Sequence, residues 1–496
     1  MPYHGDVGID PWEYLLAVLI ILITFLFVDR RKRLRVHNNF EYKYYLAGLW
    51  SRLLGGIVFT MVYFYYYHGG DTTAYFYSGV AMNKMLFIDP AEFFRQVILG
   101  DNSYEALSSY SSLTVRPYLY VFRDYRTFQM LRISSVLSLM TFNSYLISTL
   151  IMAGISFGGV WVCYQTFVSY FPRISKQLAI GFLFMPSAIF WGSGILKDTV
   201  SFSAVCAWVY AMDRLFFKRR DMLSSVILAL ICGTAMVMVK PYILMVMIPA
   251  TLLWVFYMRV TRLRNALVRF VLIPFMGVGL VALSIFVLSR MGDMLDKFAL
   301  DEALSSITTL QNDMSTNQGY GDFKFNIGEF DGTWWGVVKK FPIATNAALF
   351  RPYPWEVKNA ITALSGLENL FVLGLSLYVL FRAGVRFTLR CIGANPLLLM
   401  SMTFALLFSF VVGITTPNFG ALVRFKIPMI PFYISSLYII LFLHKERIAA
   451  RNAGRNFALS DYRMGDRKGQ NMIQELARQK QQRRSATSAT RHMANA

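Results

Sequence analysis

Long apolar runs recur along this 496-residue chain between residues 12 and 444. Most of them are long enough to cross the ~30 Å hydrocarbon core of a bilayer as a helix. Charged residues make up only 16% of the chain, whereas soluble proteins carry about 25%. The mean hydropathy of +0.45 agrees with this composition. The sequence therefore predicts an all-α fold, a polytopic transmembrane helical bundle.

The formal net charge of +21 does not indicate a nucleic-acid partner, because many of the cations lie in short loops between apolar runs. From His444 onwards the chain has twelve Lys and Arg residues and four Asp and Glu residues. The four cysteines include no CxxC spacing, so neither a zinc site nor a disulfide is predicted. A cleavable secretory signal is not predicted either, since acids precede or begin the first apolar run.

The charge pattern also predicts an orientation. The first run, residues 12–28, is followed by DRRKRLRVH, which has five cations and one acid. Short loops rich in Lys and Arg are cytoplasmic, so the N-terminus is expected outside. Continuing the alternation gives about eleven spans, N-out and C-in. The later runs are residues 46–67, 144–168, 178–191, 200–217, 224–239, 242–257, 270–288, 367–381, 396–413 and 427–443.

Two regions follow from this layout. Residues 1–443 are predicted to form the transmembrane domain, with large extracytoplasmic loops at about 68–135 and 290–366. Segments such as DPAEFFRQVIL in the first loop fit amphipathic helices, either lying in the membrane interface or packed on the protein. Residues 444–496 are predicted to be a basic cytoplasmic tail, partly disordered, for which anionic membrane lipids are a candidate contact.

Five segments that are distant in sequence bring unusual polar residues to the predicted outer face. Their cations are flanked by glycine, proline and aromatic residues that shape the backbone. Cations beside hydrocarbon are costly unless they are paired, and shaped backbone around charge favours a binding site. Headgroup snorkelling and internal ion pairs are the alternatives. The segments are HGGDTT with His68 and Asp71, GSGILKD with Lys197 and Asp198, VKPY with Lys240, RPYPWE with Arg351 and Glu356, and VRFK with Arg424 and Lys426.

This mixture of side chains suits a lipid-linked phosphate. The guanidinium is a planar fork that matches phosphate, and lysine adds a compact charge. Asp71 is the candidate catalytic residue, a base for an attacking hydroxyl, and the other eight residues are candidate substrate-binding residues. The few histidines predict no multi-histidine metal centre. A divalent cation such as Mg²⁺ or Mn²⁺, held by Asp71 and one other carboxylate, is left open.

Three short motifs carry a family resemblance. The Gly-Asp of the first outer loop with its following tyrosine, the turn PSAIFWGSGILKD and the lead-in NFGALVRFKIPMIPF resemble the polytopic GT-C-type membrane glycosyltransferases and the related bacterial polysaccharide polymerases. The resemblance implies a polyprenyl phosphate- or pyrophosphate-linked sugar donor and a glycan or lipid-linked acceptor. It further implies that Asp71 acts as general base or metal ligand, and that Arg424 and Arg351 contact the donor phosphate. The sequence departs from the family in having one extra span before the acid and a single acid in place of a pair.

The leading functional hypothesis is thus a glycosyltransferase or glycan polymerase in a bacterial plasma (inner) membrane. A transporter or flippase for lipid-linked or anionic substrates is the second hypothesis. Transporters concentrate charge near the bilayer midplane, often with inverted repeats, whereas the runs here are apolar at their centres and no repeat is evident. A scaffold of an envelope-assembly complex is the third.

Overall fold

A computed structural model describes residues 8–36, 39–260, 334–357 and 359–471, and residues 279, 325, 328 and 475 singly. Within these residues every regular element is helical, which confirms the all-α prediction. The α-helices are α1 (Pro11–Val36), α2 (Tyr45–Met61), α3 (Asp71–Ile88), α4 (Pro90–Phe94), α5 (Tyr104–Ser108), α6 (Leu119–Arg123), α7 (Tyr125–Met140), α8 (Tyr145–Tyr170), α9 (Ser175–Leu183), α10 (Pro186–Trp191), α11 (Lys197–Met212), α12 (Met222–Val239), α13 (Pro241–Val260), α14 (Trp334–Lys339), α15 (Phe341–Phe350), α16 (Ala360–Ala383), α17 (Val385–Ala394), α18 (Pro396–Thr415), α19 (Phe419–Phe425) and α20 (Ile430–Asn452).

Single 3₁₀ or π turns extend or connect several of these helices. The π turns follow α2, α4 and α11, and the 3₁₀ turns occupy short connections. The π segments are Val62–Tyr66, Arg95–Leu99 and Asp213–Lys218, and the 3₁₀ segments are Phe40–Tyr44, Pro172–Ile174, Pro354–Glu356 and Leu459–Tyr462.

Seven of the described helical stretches are long and apolar enough to cross a membrane, and an eighth is added if α19 and α20, bent by 66°, form one span. The chain is therefore a multi-pass helical membrane protein. The seven stretches are Pro11–Arg30, Phe40–Tyr66, Tyr145–Tyr170, Lys197–Lys218, Met222–Val239, Thr362–Ala383 and Pro396–Thr415. The count of eleven crossings stays a prediction. The run at 270–288 and most of the loop at 290–366 lie outside the described residues.

The predicted run at 178–191 is not one helix. It is divided between α9, which has nine residues, and α10, which has six. Proline disfavours the helical conformation in the residue before it and is well suited to the first position of a new helix. Accordingly Met185 is extended and Pro186 begins α10.

The first predicted outer loop is a folded helical layer. Its two longest helices, α3 and α7, pack side by side. The Asn83 Nδ2 donates to Ser135 O at 3.1 Å and to Ser138 Oγ at 2.6 Å, and the Ser135 Oγ donates back to Asn83 Oδ1 at 2.5 Å. In the segment 89–99, Phe93 is buried whereas Phe94, Ile98 and Leu99 are exposed. One side of that segment therefore packs on the protein and the other side presents apolar surface.

Gly79 sets the distance between α3 and α7, and its replacement by valine is expected to disrupt the layer. A Cβ at Gly79 would lie 2.7 Å from Ser135 N, a backbone atom. We expect Gly79→Val to lower the free energy of unfolding by about 1–3 kcal/mol or more, as overpacking does. Unfolding by SDS in mixed micelles measures this effect. Gly154→Val in α8 is the matched control, because a Cβ there meets nothing within 4 Å; equal loss in both variants would contradict the close approach.

The helical fold continues past residue 444. Helix α20 continues to Asn452, and the segment after it packs back against the connection between α8 and α9. There Asp466 N donates to Tyr170 O at 2.6 Å, and Arg173 forms ion pairs with Glu446 and Asp466. The first part of the predicted tail is therefore folded onto the bundle, while residues 476–496 lie outside the described residues.

Candidate functional site

The chain turns at Gly69 and Gly70, between the second candidate span and α3. His68, Gly69 and Gly70 have positive φ values of 54°, 117° and 145°, and residues other than glycine rarely adopt this region of backbone conformation. A Cβ at Gly70 would also lie 2.9 Å from the Tyr63 ring. The turn places Asp71 as the first residue of α3, where the helix dipole favours a negative charge. His68 is exposed on this turn.

Arg424 joins two carboxylates from distant parts of the sequence. Its Nη1 donates to Asp71 Oδ2 at 2.9 Å, and its Nε donates to Asp198 Oδ2 at 2.5 Å. Asp71 lies in the first turn of α3 and Asp198 in the first turn of α11, while Arg424 lies in the last turn of α19. The ends of three helices therefore meet at one guanidinium.

Lys240 completes this arrangement at the junction of α12 and α13. Its ammonium donates to Asp198 Oδ1 and lies 3.9 Å from the centroid of the Phe425 ring. The side chain of Asp198 is 1% exposed, that of Lys240 is 8% exposed and that of Arg424 is 14% exposed. Asp71, at 44%, is the accessible member. We call Asp71, Asp198, Lys240 and Arg424 the charged cluster.

Lys197 lies beside the charged cluster and pairs with a different acid. Its Nζ lies 3.3 Å from Asp124 Oδ2 and donates to Thr127 Oγ1 at 2.6 Å. Asp124 also caps α7 by accepting from Thr127 N at 2.8 Å. Burial opposes ionisation of the Asp124 carboxyl, but the hydrogen bonds from Thr127 and the charge of Lys197 outweigh it. The pKa of Asp124 is therefore lowered from its ordinary value.

Arg351, Glu356 and Lys426 form a second group beside α19, and Lys426 is the residue that follows this helix. Arg351 Nε contacts the two carboxylate oxygens of Glu356 at 3.0 and 3.1 Å. Lys426 donates to Asn369 Oδ1 at 2.6 Å and to Arg351 O at 3.3 Å. The guanidinium of Arg351 also lies 5.1 Å from the ring centroid of Phe419, the first residue of α19. The second group therefore contacts both ends of α19, and its Lys426 lies two residues after Arg424 of the charged cluster.

The nine predicted site residues are therefore brought to one region but not to one contact network. Four form the charged cluster, Lys197 is next to it, three form the second group and His68 lies on the turn before Asp71. Sequence reasoning missed Asp124, because the Asp-x-x-Thr spacing of FRDYRT indicates a helix cap and says nothing of a lysine 73 residues later.

Sequence reasoning also missed Arg52, although a lone cation in an apolar run is a recognisable signal. Arg52 is 1% exposed within α2. Its Nη1 donates to Ala188 O, and its guanidinium lies 4.9 Å from the Phe202 ring centroid. Within the described part of the chain its Nε and Nη2 have no hydrogen-bond partner.

The carboxylates of this region do not fit a divalent cation in the arrangement present. Asp71 and Asp198 face Arg424, and Asp124 faces Lys197, so their oxygens are directed at positive charges of the chain itself. Among the described residues no three His, Cys, Asp or Glu side chains are grouped as metal ligands would be.

Comparison with protein-family models, with curated proteins and with solved structures finds no match for this chain. A guanidinium and two ammonium groups lie at one end of membrane helices, next to a half-exposed carboxylate. Such a set can hold a phosphate and accept a proton from a neighbouring hydroxyl.

Proposed function

We propose that this chain is an integral-membrane glycosyltransferase or glycan polymerase that uses a polyprenyl phosphate- or pyrophosphate-linked sugar donor. Transfer would go to a glycan or lipid-linked acceptor at the extracytoplasmic face of a bacterial plasma membrane. The observation that supports the proposal best is the bridge from Arg424 to both Asp71 and Asp198. In the proposed topology of about eleven crossings, N-out and C-in, this bridge lies at the outer face.

The donor phosphate would compete with Asp71 for Arg424. The Nε of Arg424 is held by the buried Asp198, which also binds Lys240, so the guanidinium keeps its place when Asp71 leaves. A phosphate on Nη1 gains a charge-assisted hydrogen bond of the same kind as Asp71 gives up. The lipid tail of the donor would remain in the bilayer, which the position of the charged cluster at helix ends allows.

Released from Arg424, Asp71 can act as the base. The acceptor hydroxyl loses its proton to a carboxylate oxygen of Asp71, and the hydroxyl oxygen forms a bond to the anomeric carbon. The bond from that carbon to the phosphate oxygen breaks, and its electron pair leaves with the lipid phosphate. Arg424 and Lys240 stabilise the charge that develops there, as preorganised groups do in active sites.

A transporter or flippase for lipid-linked or anionic substrates is the second candidate function, and Arg52 is the observation that favours it. Ionisable groups buried within membrane helices commonly mark substrate pathways. Arg52 lies within α2, away from the helix ends where the charged cluster is found.

The test is an assay of the purified full-length protein in proteoliposomes. Polyprenyl phosphate- and pyrophosphate-linked sugar donors are supplied with oligosaccharide and lipid-linked acceptors. We expect the protein to form glycosylated acceptor and to release one lipid phosphate or pyrophosphate per sugar transferred. Radiolabelled sugar followed into the acceptor measures the reaction.

A second measurement in the same vesicles separates the two candidates. A fluorescent lipid-linked sugar is placed in one leaflet, and its accessibility to a membrane-impermeant quencher is followed. Movement between leaflets without any glycosylated product would overturn the transferase proposal in favour of transport. Product without movement supports the transferase.

A further inference from the structure

A cavity lies at the end of the bundle opposite to the charged cluster. Helix α8 links the two ends. Near its start, the Tyr145 hydroxyl is hydrogen-bonded at 2.7 Å to Thr72, the residue after Asp71. The helix has 26 residues and ends at Tyr170, so its ends are about 39 Å apart. The cavity at the Tyr170 end measures about 500 Å³ and is bounded by α20, Arg173 and the segment 455–468.

One wall of the cavity is a fixed network of hydrogen bonds. Arg173 contacts Glu446 at 2.9 Å and Asp466 at 2.5 Å, and the Tyr462 hydroxyl donates to Glu446 Oε2 at 2.7 Å. Asn395 Nδ2 donates to Tyr462 O at 2.7 Å, which ties the segment to the start of α18. The wall is therefore preorganised, and the charge of Arg173 is already compensated by two carboxylates.

The rest of the lining is predominantly positively charged. Arg455, Arg467 and Lys468 line the cavity and are exposed. None of the three forms an ion pair within 4 Å of an acid in the part of the chain that the structure describes, although Lys468 interacts electrostatically with Glu446 of the lining. Asp461 is the remaining acid of the lining, so the cations of the rim outnumber it three to one.

The cavity also lies close to exposed apolar surface. Ile448 of α20 precedes two lining residues, Ala449 and Ala450, and is 39% exposed. Leu389 of the neighbouring helix α17 is 62% exposed, next to the exposed cation Arg390. Helices with one apolar exposed side and flanking cations lie at the level of lipid headgroups. The cavity is therefore placed where both a lipid headgroup and a dissolved anion can reach it.

We propose that this cavity binds a phosphate-bearing group, supplied either by the headgroup of an anionic phospholipid or by a soluble phosphorylated compound. The rim cations contact the phosphate, and the fixed wall gives the site its shape. The proposal does not depend on sugar transfer, because the cavity lies at the other end of α8 from the charged cluster. An occupant would hold the segment 455–468 against α20.

The experiment uses the full-length protein and a triple variant, Arg455→Gln/Arg467→Gln/Lys468→Gln. In the lipid arm, native mass spectrometry counts phosphatidylglycerol bound to protein released from nanodiscs of phosphatidylglycerol and phosphatidylcholine. In the soluble arm, calorimetry measures inorganic pyrophosphate and glycerol 3-phosphate binding in neutral detergent. We expect the triple variant to bind at least roughly tenfold more weakly in one arm, since each cation near a membrane surface attracts anions measurably.

The matched control is Arg220→Gln/Arg382→Gln/Arg386→Gln. It removes the same charge from exposed residues that do not line the cavity. Weaker binding by the triple variant, with normal binding by the control variant, supports the proposal. The arm in which binding weakens identifies the source of the phosphate. Equal loss in both variants would indicate surface charge only and overturn it. The proposal would also be overturned if the wild-type protein bound no ligand in either arm, or if the triple variant bound as well as the wild type.

Discussion

Replacing Asp71 by asparagine is expected to reduce sugar transfer by roughly 10²- to 10⁴-fold, the usual contribution of a positioned base. Asparagine keeps an oxygen that can accept from Arg424 Nη1, so the geometry of the charged cluster is retained while the basic group is lost. The side chain of Asp71 is 44% exposed, and ion pairs of this exposure stabilise folds by about 0–1 kcal/mol. The variant is therefore expected to fold.

Two measurements separate loss of the base from loss of the fold. The initial rate of radiolabelled sugar transfer is compared with the wild-type rate, and SDS unfolding in mixed micelles shows whether the fold is kept. Glu105→Gln is the matched control, because Glu105 is an exposed acid of the same helical layer at the first turn of α5. A folded Asp71→Asn protein with the wild-type rate would remove Asp71 from the mechanism.

The helices themselves are the part of this structure that sequence predicts best. Residues 145–170 and 396–415 are continuous apolar stretches, and a helix is the one local structure that satisfies their backbone in a bilayer. The placement of Asp198 and Arg424 at one end of the bundle is also predictable, because both lie at helix ends that the charge alternation assigns to one face. Their direct contact is not, since the same face holds other cations and acids that pair elsewhere.

What sequence could not predict depends on local conformation and on side-chain partners. Pro186 divides the apolar run at 178–191 into α9 and α10; the proline is a sign of this break, but the hydrophobicity from which the run is predicted does not register it. The pairing of Lys197 with Asp124 requires the packing of α7 near α11, which no periodicity encodes. Likewise, Asp466 contacts Arg173 only because the segment after α20 folds back, although its composition resembles that of a solvated tail.

Replacing Asp198 by asparagine is expected to have a different result from the Asp71 variant, namely loss of stability. Asp198 is 1% exposed and accepts from both Lys240 and Arg424. Removing the acid leaves the ammonium of Lys240 and the guanidinium of Arg424 close together. The buried Lys240 then lacks the carboxylate with which it is paired. Breaking a buried pair in this way costs about 3–5 kcal/mol. Mixed-micelle unfolding should therefore shift to much lower SDS fractions, and the yield of folded protein should fall.

The double variant Asp198→Asn/Lys240→Met tests whether this loss comes from the unpaired charge. Methionine is close to lysine in length and carries no charge, so no buried ammonium is left without a counterion at position 240. Arg424 keeps its ion pair with Asp71. If unpaired charge is the cause, the double variant should be more stable than Asp198→Asn alone. Its loss of unfolding free energy should then be much smaller than the sum of the losses in the single variants Asp198→Asn and Lys240→Met, as expected for contacting residues. Additive losses would mean that Asp198 acts through packing, and Arg424 would then not depend on it for its position. In that case the phosphate-holding role proposed for Arg424 loses its structural support, whatever the Asp71→Asn variant shows.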